Sequence, residues 1–487
     1  MNEQIRLLQP AALWNHFADL NAVPRPSKKE QRVIAFMKAF GEGLQLETSV
    51  DAAGNVLIKK PATAGMETRE TVVLQSHIDM VHQKNSDTVF DFATQGIEMY
   101  VDGDWVRAKG TTLGADNGIG VSAIMTLLAS HDIPHPAIEA LFTIDEETGM
   151  TGAFALQAGV LSGNILLNLD TEADNELTIG CAGGLDITIS GSYHENLQTN
   201  DSAYKISVKG LTGGHSGGDI HLGRGNANKI MNRILQYLHK EYHIRINSID
   251  GGSLRNAIPR EATAVVIFYS PRLDVIMKDL EQLIGTIKDE YKVTDPKLSI
   301  TIEPTDLPKV AMEGTFIFRL MRAIYSCPNG IYRMSPEISG LVQSSNNLAR
   351  VLVANGAYTI QCLTRSSVES EKYDLATAIT SAFDQVDVTA TKWSGGYPGW
   401  QPKPEAPIVQ LMSNLYKEMF HEEAKVNAVH AGLECGILGA NYPDMQMISF
   451  GPNIVGPHSP DECVQISSVQ KFWSFLLETL KRIPVKG

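Results

Sequence analysis

Cysteine is scarce and scattered in this chain. Cys181, Cys327, Cys362, Cys435 and Cys463 lie far apart, and no two form a Cys-x-x-Cys pair. An odd, dispersed set argues against a disulfide framework and for free thiols in a reducing compartment. Nothing near these residues supports a cysteine nucleophile, so buried structural thiols are expected. No run of about 18 apolar residues occurs, which argues against a membrane-spanning helix. The first twenty residues lack a basic stretch followed by an apolar one, so no secretory signal is expected, and the reading is cytoplasmic. Basic charge is in deficit: 41 Lys and Arg against 55 Asp and Glu give a formal net charge of −14. That balance argues against nucleic acid or an anionic membrane as the main partner.

What is present is ordinary globular material: 487 residues, 43% hydrophobic and 20% charged. The length implies more than one domain. Residues 10–21 and 27–40 read as helices, the second opened by a capping-box pattern of Ser27 followed by Glu30. Residues 56–59 and 71–76 read as strands. Ile119, Ile124, Leu127 and Leu128 sit at helical spacing, predicting a helix over 119–129. The apolar runs 138–144 and 165–169 are short enough for buried strands. This alternation predicts an α/β layer architecture with a mixed or largely parallel sheet flanked by helices.

From about residue 187 the pattern changes. Strands are expected over 204–208, 262–269, 298–302 and 357–363. Helices are expected over 226–239, 273–291, 315–325 and 371–383. The segments 255–272 and 346–366 each run through Asn and Arg into a strand that stops before Arg. A weak internal duplication is one reading, and chance likeness of two strand–helix units is the other. Residues 393–404, rich in Gly, Pro and Trp, read as a linker. A helix over 406–421 and a strand over 445–450 return to the first style. The expected organisation is a discontinuous domain, 1–186 and 391–487, with an α+β domain inserted over 187–390.

The polar residues cluster at predicted strand ends. His77 and Asp79 end the 71–76 strand and share one side of it; a metal-bound imidazole needs its second nitrogen held, which a nearby carboxylate does. Taken alone, the two are explained more simply by a hydrogen-bonded surface pair. Asp116 precedes the 119–129 helix, where a helix N-cap needs no metal. Asp145, Glu146 and Glu147 follow the 138–144 run; adjacent residues point to opposite sides, so one acid can bind metal while another serves as base. A solvated acidic turn is the competing reading. Asp170 follows 165–169, and His458 lies one loop beyond 445–450. Taken together they are harder to explain separately, because ligand sites in open α/β sheets gather outside the carboxyl ends of strands. Two His and several carboxylates suit zinc, cobalt or manganese, and the number of carboxylates suggests two ions.

The segments SHIDMV, GTTLGADNGIG, FTIDEETGMTGA, LNLDTEAD and GPNIVGPHSPDE resemble, in that order, the M20 family of dinuclear zinc peptidases. The resemblance spans essentially the whole chain. It implies a zinc-peptidase-like catalytic domain with an inserted lid, two Zn2+ per chain (Co2+ or Mn2+ substituting), and hydrolysis of unblocked dipeptides, Xaa-His such as β-alanyl-histidine among them. It makes His77, Asp116, Glu147, Asp170 and His458 the metal ligands, with Asp116 bridging. Asp79 becomes the acid that orients His77, and Glu146 the general base. It also places a cis peptide bond at Asp116-Asn117.

In the inserted domain, TGGHSGGDIH resembles the family's His-containing motif, so His215 is expected to stabilise the transition state. RNAIP resembles the segment carrying a substrate-contacting Asn, here Asn256. Arg365 is the candidate for the substrate's C-terminal carboxylate, a task that suits the guanidinium fork. AVHAGLECG resembles a substrate-binding loop, with Gly432 giving backbone approach and Glu434 a candidate for the free amine. A structural Gly-rich loop and a solvated Glu are the bland alternatives. If the duplication is real, its second half could mimic a neighbouring subunit's lid, leaving a homodimer optional. An N-acyl amino acid deacylase, a tripeptidase and a non-catalytic metal-binding protein are the rival functions.

Overall fold

Apolar runs too short for helices become the central strands of the first of two units in the computed structural model, which describes residues 2–197, 202–268, 270–386 and 388–486. The units comprise Met1–Gly180, Trp400–Ala428 and Leu433–Gly487 on the one hand, and Cys181–Gly399 with Val429–Gly432 on the other. Each has its own sheet.

In the first unit Val72–His77 and Ile138–Thr143 are buried at every position, as strands covered on both faces must be. Val72–His77 runs parallel to Ile138–Thr143 on one side and to Ile165–Asn168 on the other. Gln446–Ser449 extends the parallel set beyond Ile165–Asn168. Their carboxyl ends therefore open along one edge of the sheet. Glu47–Val50 and Val56–Lys60 add antiparallel strands outside Ile138–Thr143. Glu176–Cys181 and Lys425–Val429 complete the eight-stranded mixed sheet at the other end. The helix Ala115–Ala129 is buried almost throughout, so its apolar character extends all round.

A small antiparallel sheet joins Met99–Asp102, Trp105–Ala108, Cys463–Gln465 and Ile454–Val455. The loop that carries His458 is strung between its last two members. The expected capping box at Ser27 does not form. The helix there is Gln31–Gly43 with Glu30 as N-cap; the Ser27 hydroxyl donates instead to Asp79 Oδ2 at 2.8 Å. The carboxylate of a buried acid has outcompeted a helix end.

The second unit is built on a nine-stranded antiparallel sheet. One path runs from strand Ser202–Lys209 through helix Ala227–Tyr242, strands Arg245–Gly251 and Ala262–Phe268 and helix Leu273–Tyr291 to strand Ser299–Thr305. The strand expected over 262–269 ends at Phe268, and residue 269 lies outside the described residues. In the sheet, the strands of this path stand in the order fourth, first, third, second, a split βαβ arrangement. A second path starts at Gly183–Ser192. It resumes after the first is complete, through helix Gly314–Ser326, strands Val342–Ala354 and Ala357–Ser366 and helix Glu369–Phe383 to strand Val388–Tyr397. Its strands stand in the mirror order, second, third, first, fourth. The two paths join edge to edge where Arg245–Gly251 pairs antiparallel with Val342–Ala354. The helices pack on this sheet in one continuous core that includes Ile234, Leu280, Leu320 and Ile379. The segment expected to be a linker from residue 393 is, up to Tyr397, the end of an edge strand. Its glycines sit at a register shift between Ser394 and Tyr397 rather than in a free connection.

Candidate metal centre

The parallel strands deliver their polar ends to one place. His77 is the last residue of its strand and 1% exposed. Its Nε2 lies 3.1 Å from Asp116 Oδ1 and 3.4 Å from Asp170 Oδ1. On its other side Nδ1 lies 3.4 Å from Asp79 Oδ1. Asp79 is fixed in turn by the Ser27 hydroxyl and by the backbone N–H of Glu146 at 3.1 Å. His458 Nε2 stands 3.3 Å from Asp116 Oδ2 and 2.9 Å from Glu147 Oε2. The structure thus gathers His77, Asp79, Asp116, Glu146, Glu147, Asp170 and His458 from separate stretches of sequence. The peptide bond between Asp116 and Asn117 is cis.

Two groups of ligand atoms, each within 4.8 Å of one another, share a residue: His77, Asp116 and Asp170 form one, Asp116, Glu147 and His458 the other. A further group unites His77 with Glu146 and Glu147. The electrostatics fit divalent cations. Asp116 and Glu147 together hold the His458 imidazole up at about 11. Burial pulls the His77 imidazole down, yet Asp170 and Asp116 raise it well above its ordinary value. A field that retains protons this firmly is short of positive charge. Arg25, a buried cation nearby, spends its Nη1 and Nη2 donors on the carbonyls of Ile78, Asp79 and Gly114 and on Asn21. Burial likewise raises the Glu146 carboxyl well above the usual carboxylate range, with Asp170 and Glu434 adding to it. A carboxyl of that kind is suited to carrying a proton.

Several supporting residues have roles that the sequence reading did not assign. Glu462 accepts the backbone N–H groups of Leu113 and Gly114 on one oxygen and of Ala115 and Asp116 on the other, at 2.7–3.2 Å. It lies inside the motif around His458, which was its only signal. Asn117 Nδ2 donates to Asp170 Oδ1 and to the Leu169 carbonyl. Asp145, first of the three consecutive acids, is 2% exposed and accepts from the side chains of Lys28, Thr148 and Thr151. Glu434, already a candidate from the sequence, is buried rather than solvated, at 1% exposure; its Oε2 accepts from Gln75 Nε2 at 2.7 Å and from Thr143 Oγ1 at 2.6 Å, and burial pushes its carboxyl up to about 8.

The other candidates belong to the second unit. Gly432 closes its short segment Val429–Gly432. His215 lies in the turn after Gly213 and Gly214, and its Nδ1 accepts the Gly218 N–H at 2.9 Å. The Asn256 carbonyl accepts the Ser216 N–H at 2.8 Å. Asn347 donates to the carbonyls on either side of Asn256, those of Arg255 and Ala257. Arg365 is 4% exposed and reaches Tyr397, Ser216 and His215.

Residues 206–295 match the family described as a peptidase dimerisation domain; they fall in the first of the two strand–helix paths. The chain is similar over its whole length to the cytosol non-specific dipeptidase of Escherichia coli (strain K12), with 40% identity over 99% of this chain and 100% of that one. Its fold matches aminoacylhistidine dipeptidase from Vibrio alginolyticus at a TM-score of 0.93, with 41% identity and 100% of both chains covered. Aminopeptidase PepT from Bacillus cereus shares the fold at a TM-score of 0.57 and 14% identity, over 98% of this chain and 99% of that one.

Proposed function

The chain belongs to the M20 peptidase family, and on that premise we propose that it hydrolyses unblocked dipeptides, Xaa-His among them, with two divalent cations. Zinc is the first choice of metal, with cobalt or manganese able to substitute. One observation carries the reading: Asp116 belongs to two ligand groups at once, with a His in each. In the proposed assignment His77 and Asp170 hold one ion, Glu147 and His458 the other, and Asp116 touches both. Bound divalent ions supply Lewis acidity, polarising a carbonyl and making water a nucleophile near neutral pH. Asp79, held by Ser27, orients His77. Glu146 takes the proton from the attacking water and passes it to the leaving nitrogen. His215 stabilises charge on the scissile carbonyl oxygen, Arg365 takes the substrate's carboxylate, and Asn256 and Gly432 provide contacts. Glu434 is the candidate for the free amine.

Likeness to a protein named for the cytosol supports a cytoplasmic setting. Among the described residues no helix is long and apolar enough to cross a membrane. The edge strand Arg245–Gly251 of the matched domain is already paired with the second path of the same chain. We read the second path as standing in for a partner's, which leaves a homodimer optional.

The test is hydrolysis of β-alanyl-histidine, plain dipeptides, N-acetyl amino acids and tripeptides, before and after chelation and zinc add-back. Dipeptide turnover that is lost with chelator and restored by zinc is the expected result. Turnover confined to N-acetyl amino acids or tripeptides would replace the dipeptidase reading with a deacylase or a tripeptidase.

A further inference from the structure

Arg365 on strand Ala357–Ser366 pairs with Gly184 on Gly183–Ser192, and Gly184 pairs in turn with Tyr397 on Val388–Tyr397. Cross-strand partners project to the same face of a sheet, so Arg365 and Tyr397 share a face with their backbones two strand spacings apart, roughly 9–10 Å. A side chain on the middle strand would stand between them, and Gly184 has none. A Cβ built there would lie 2.5 Å from Tyr397 Cε1 and 2.8 Å from its hydroxyl oxygen. The ring lies across the glycine, and its hydroxyl accepts from Arg365 Nη1 at 2.7 Å.

The tyrosine is anchored from behind as well. Lys372 Nζ donates to the Tyr397 carbonyl at 2.7 Å. That lysine side chain is 1% exposed and ion-paired to Glu369 at 2.8 Å.

Among the described residues the other arm of the guanidinium meets no oxygen. Arg365 Nη2 stands 3.3 Å from His215 Nε2. His215 Nδ1 accepts the backbone N–H groups of Gly217 at 3.3 Å and Gly218 at 2.9 Å. The neutral imidazole therefore carries its proton on Nε2. Burial, and Arg365 beside it, lower the imidazole's pKa and favour that neutral form. Two donors thus face each other with no acceptor between them, which is an arrangement awaiting an oxygen.

We infer that Tyr397 is a positioning residue: it occupies one arm of the Arg365 guanidinium across the gap left by Gly184 and so keeps the other arm directed at the oxygen of a carboxylate ligand. This rests on the proposed role of Arg365 in taking the substrate's carboxylate.

The test uses the zinc-loaded full chain with β-alanyl-histidine and with its C-terminal amide, which lacks the carboxylate. Where the amide is turned over too slowly, its inhibition constant replaces KM. Arg365→Ala should abolish discrimination between acid and amide. Tyr397→Phe should raise KM for the acid about tenfold, leave kcat within about twofold, and leave the amide unchanged. Gly184→Ala, which keeps the hydroxyl but displaces the ring, should repeat that pattern. If Gly184→Ala fails to fold, Tyr397→Phe, smaller by one oxygen, carries the test. An unchanged KM in Tyr397→Phe, beside an Arg365→Ala that loses discrimination, would overturn the inference and leave the role of Arg365 standing. Equal losses on acid and amide in Tyr397→Phe would mean a merely structural role and would also overturn it. If Arg365→Ala keeps its discrimination, the carboxylate role falls and the inference falls with it.

Discussion

Glu462 Oε1 accepts the backbone N–H of Asp116 at 3.2 Å, so the residue shared by both ligand groups is held from behind by a second carboxylate. The same side chain also takes the N–H groups of Leu113, Gly114 and Ala115. In Glu462→Gln an amide NH2 would face N–H groups that need an acceptor. Leaving such buried donors unmatched costs about 1–3 kcal/mol. The metal-free variant should unfold at lower denaturant than the parent, and zinc affinity should fall by roughly 10–100-fold, as for other residues that orient metal ligands. Denaturant unfolding and a competition titration with a zinc chelator check both. Unchanged zinc affinity would show that the loop is set by other contacts.

Ion stoichiometry tests the sharing directly. The parent, loaded and then freed of excess zinc, should hold two ions per chain. Asp170→Ala and His458→Ala should each weaken one site, and Asp116→Ala should weaken both, because its two oxygens face different histidines. Metal analysis after gel filtration reads the counts. One ion retained tightly by Asp116→Ala would separate the two sites and refute the shared ligand.

Glu146 should be needed for turnover but not for metal. Glu146→Gln keeps the shape and removes the ionisable carboxyl, so on the proposed role kcat should fall by roughly 10²–10⁴ with zinc content unchanged. Near-parental kcat in that variant would hand the proton to another group, and loss of zinc would make Glu146 a ligand.

The first unit was legible because its signals are local. The runs 138–144 and 165–169 are apolar, short and followed at once by acids, so burial, strand and site coincide in one stretch of sequence. Where competition decides, the sequence misleads. Ser27 has the spacing of a helix cap, but Asp79, 52 positions away, takes its hydroxyl. The region from 393 has the glycine and proline of a linker, yet its first residues close a sheet whose neighbouring strand, Gly183–Ser192, lies some two hundred positions earlier. The pairing of the two paths was beyond local reading for the same reason. The first path is inserted after the opening strand of the second, so no continuous stretch displays the second whole. Glu462 was inside a quoted motif, but nothing about a Glu in a loop announces that it will be buried under four N–H groups.

His430 provides a handle on acid stability. Its Nε2 lies 2.7 Å from Ser345 Oγ. Burial, with Arg365 and His215 adding to it, pushes the imidazole from 6.5 down to about 3. Between those limits the unfolded chain takes up a proton that the folded chain refuses. The folded state therefore loses stability as pH falls from 6.5 toward 3, with a slope approaching about 1.4 kcal/mol per pH unit from this one group. His430→Asn replaces the imidazole with a side chain that does not titrate and can still meet Ser345. It should sacrifice some stability at pH 7 but show a shallower decline on acidification. Urea midpoints for parent and variant at pH 7, 6, 5 and 4, compared as differences so that the carboxylates common to both cancel, isolate the effect. Parallel declines would mean that His430 is protonated in the folded protein, and that the charge of Arg365 beside it is answered by some other group.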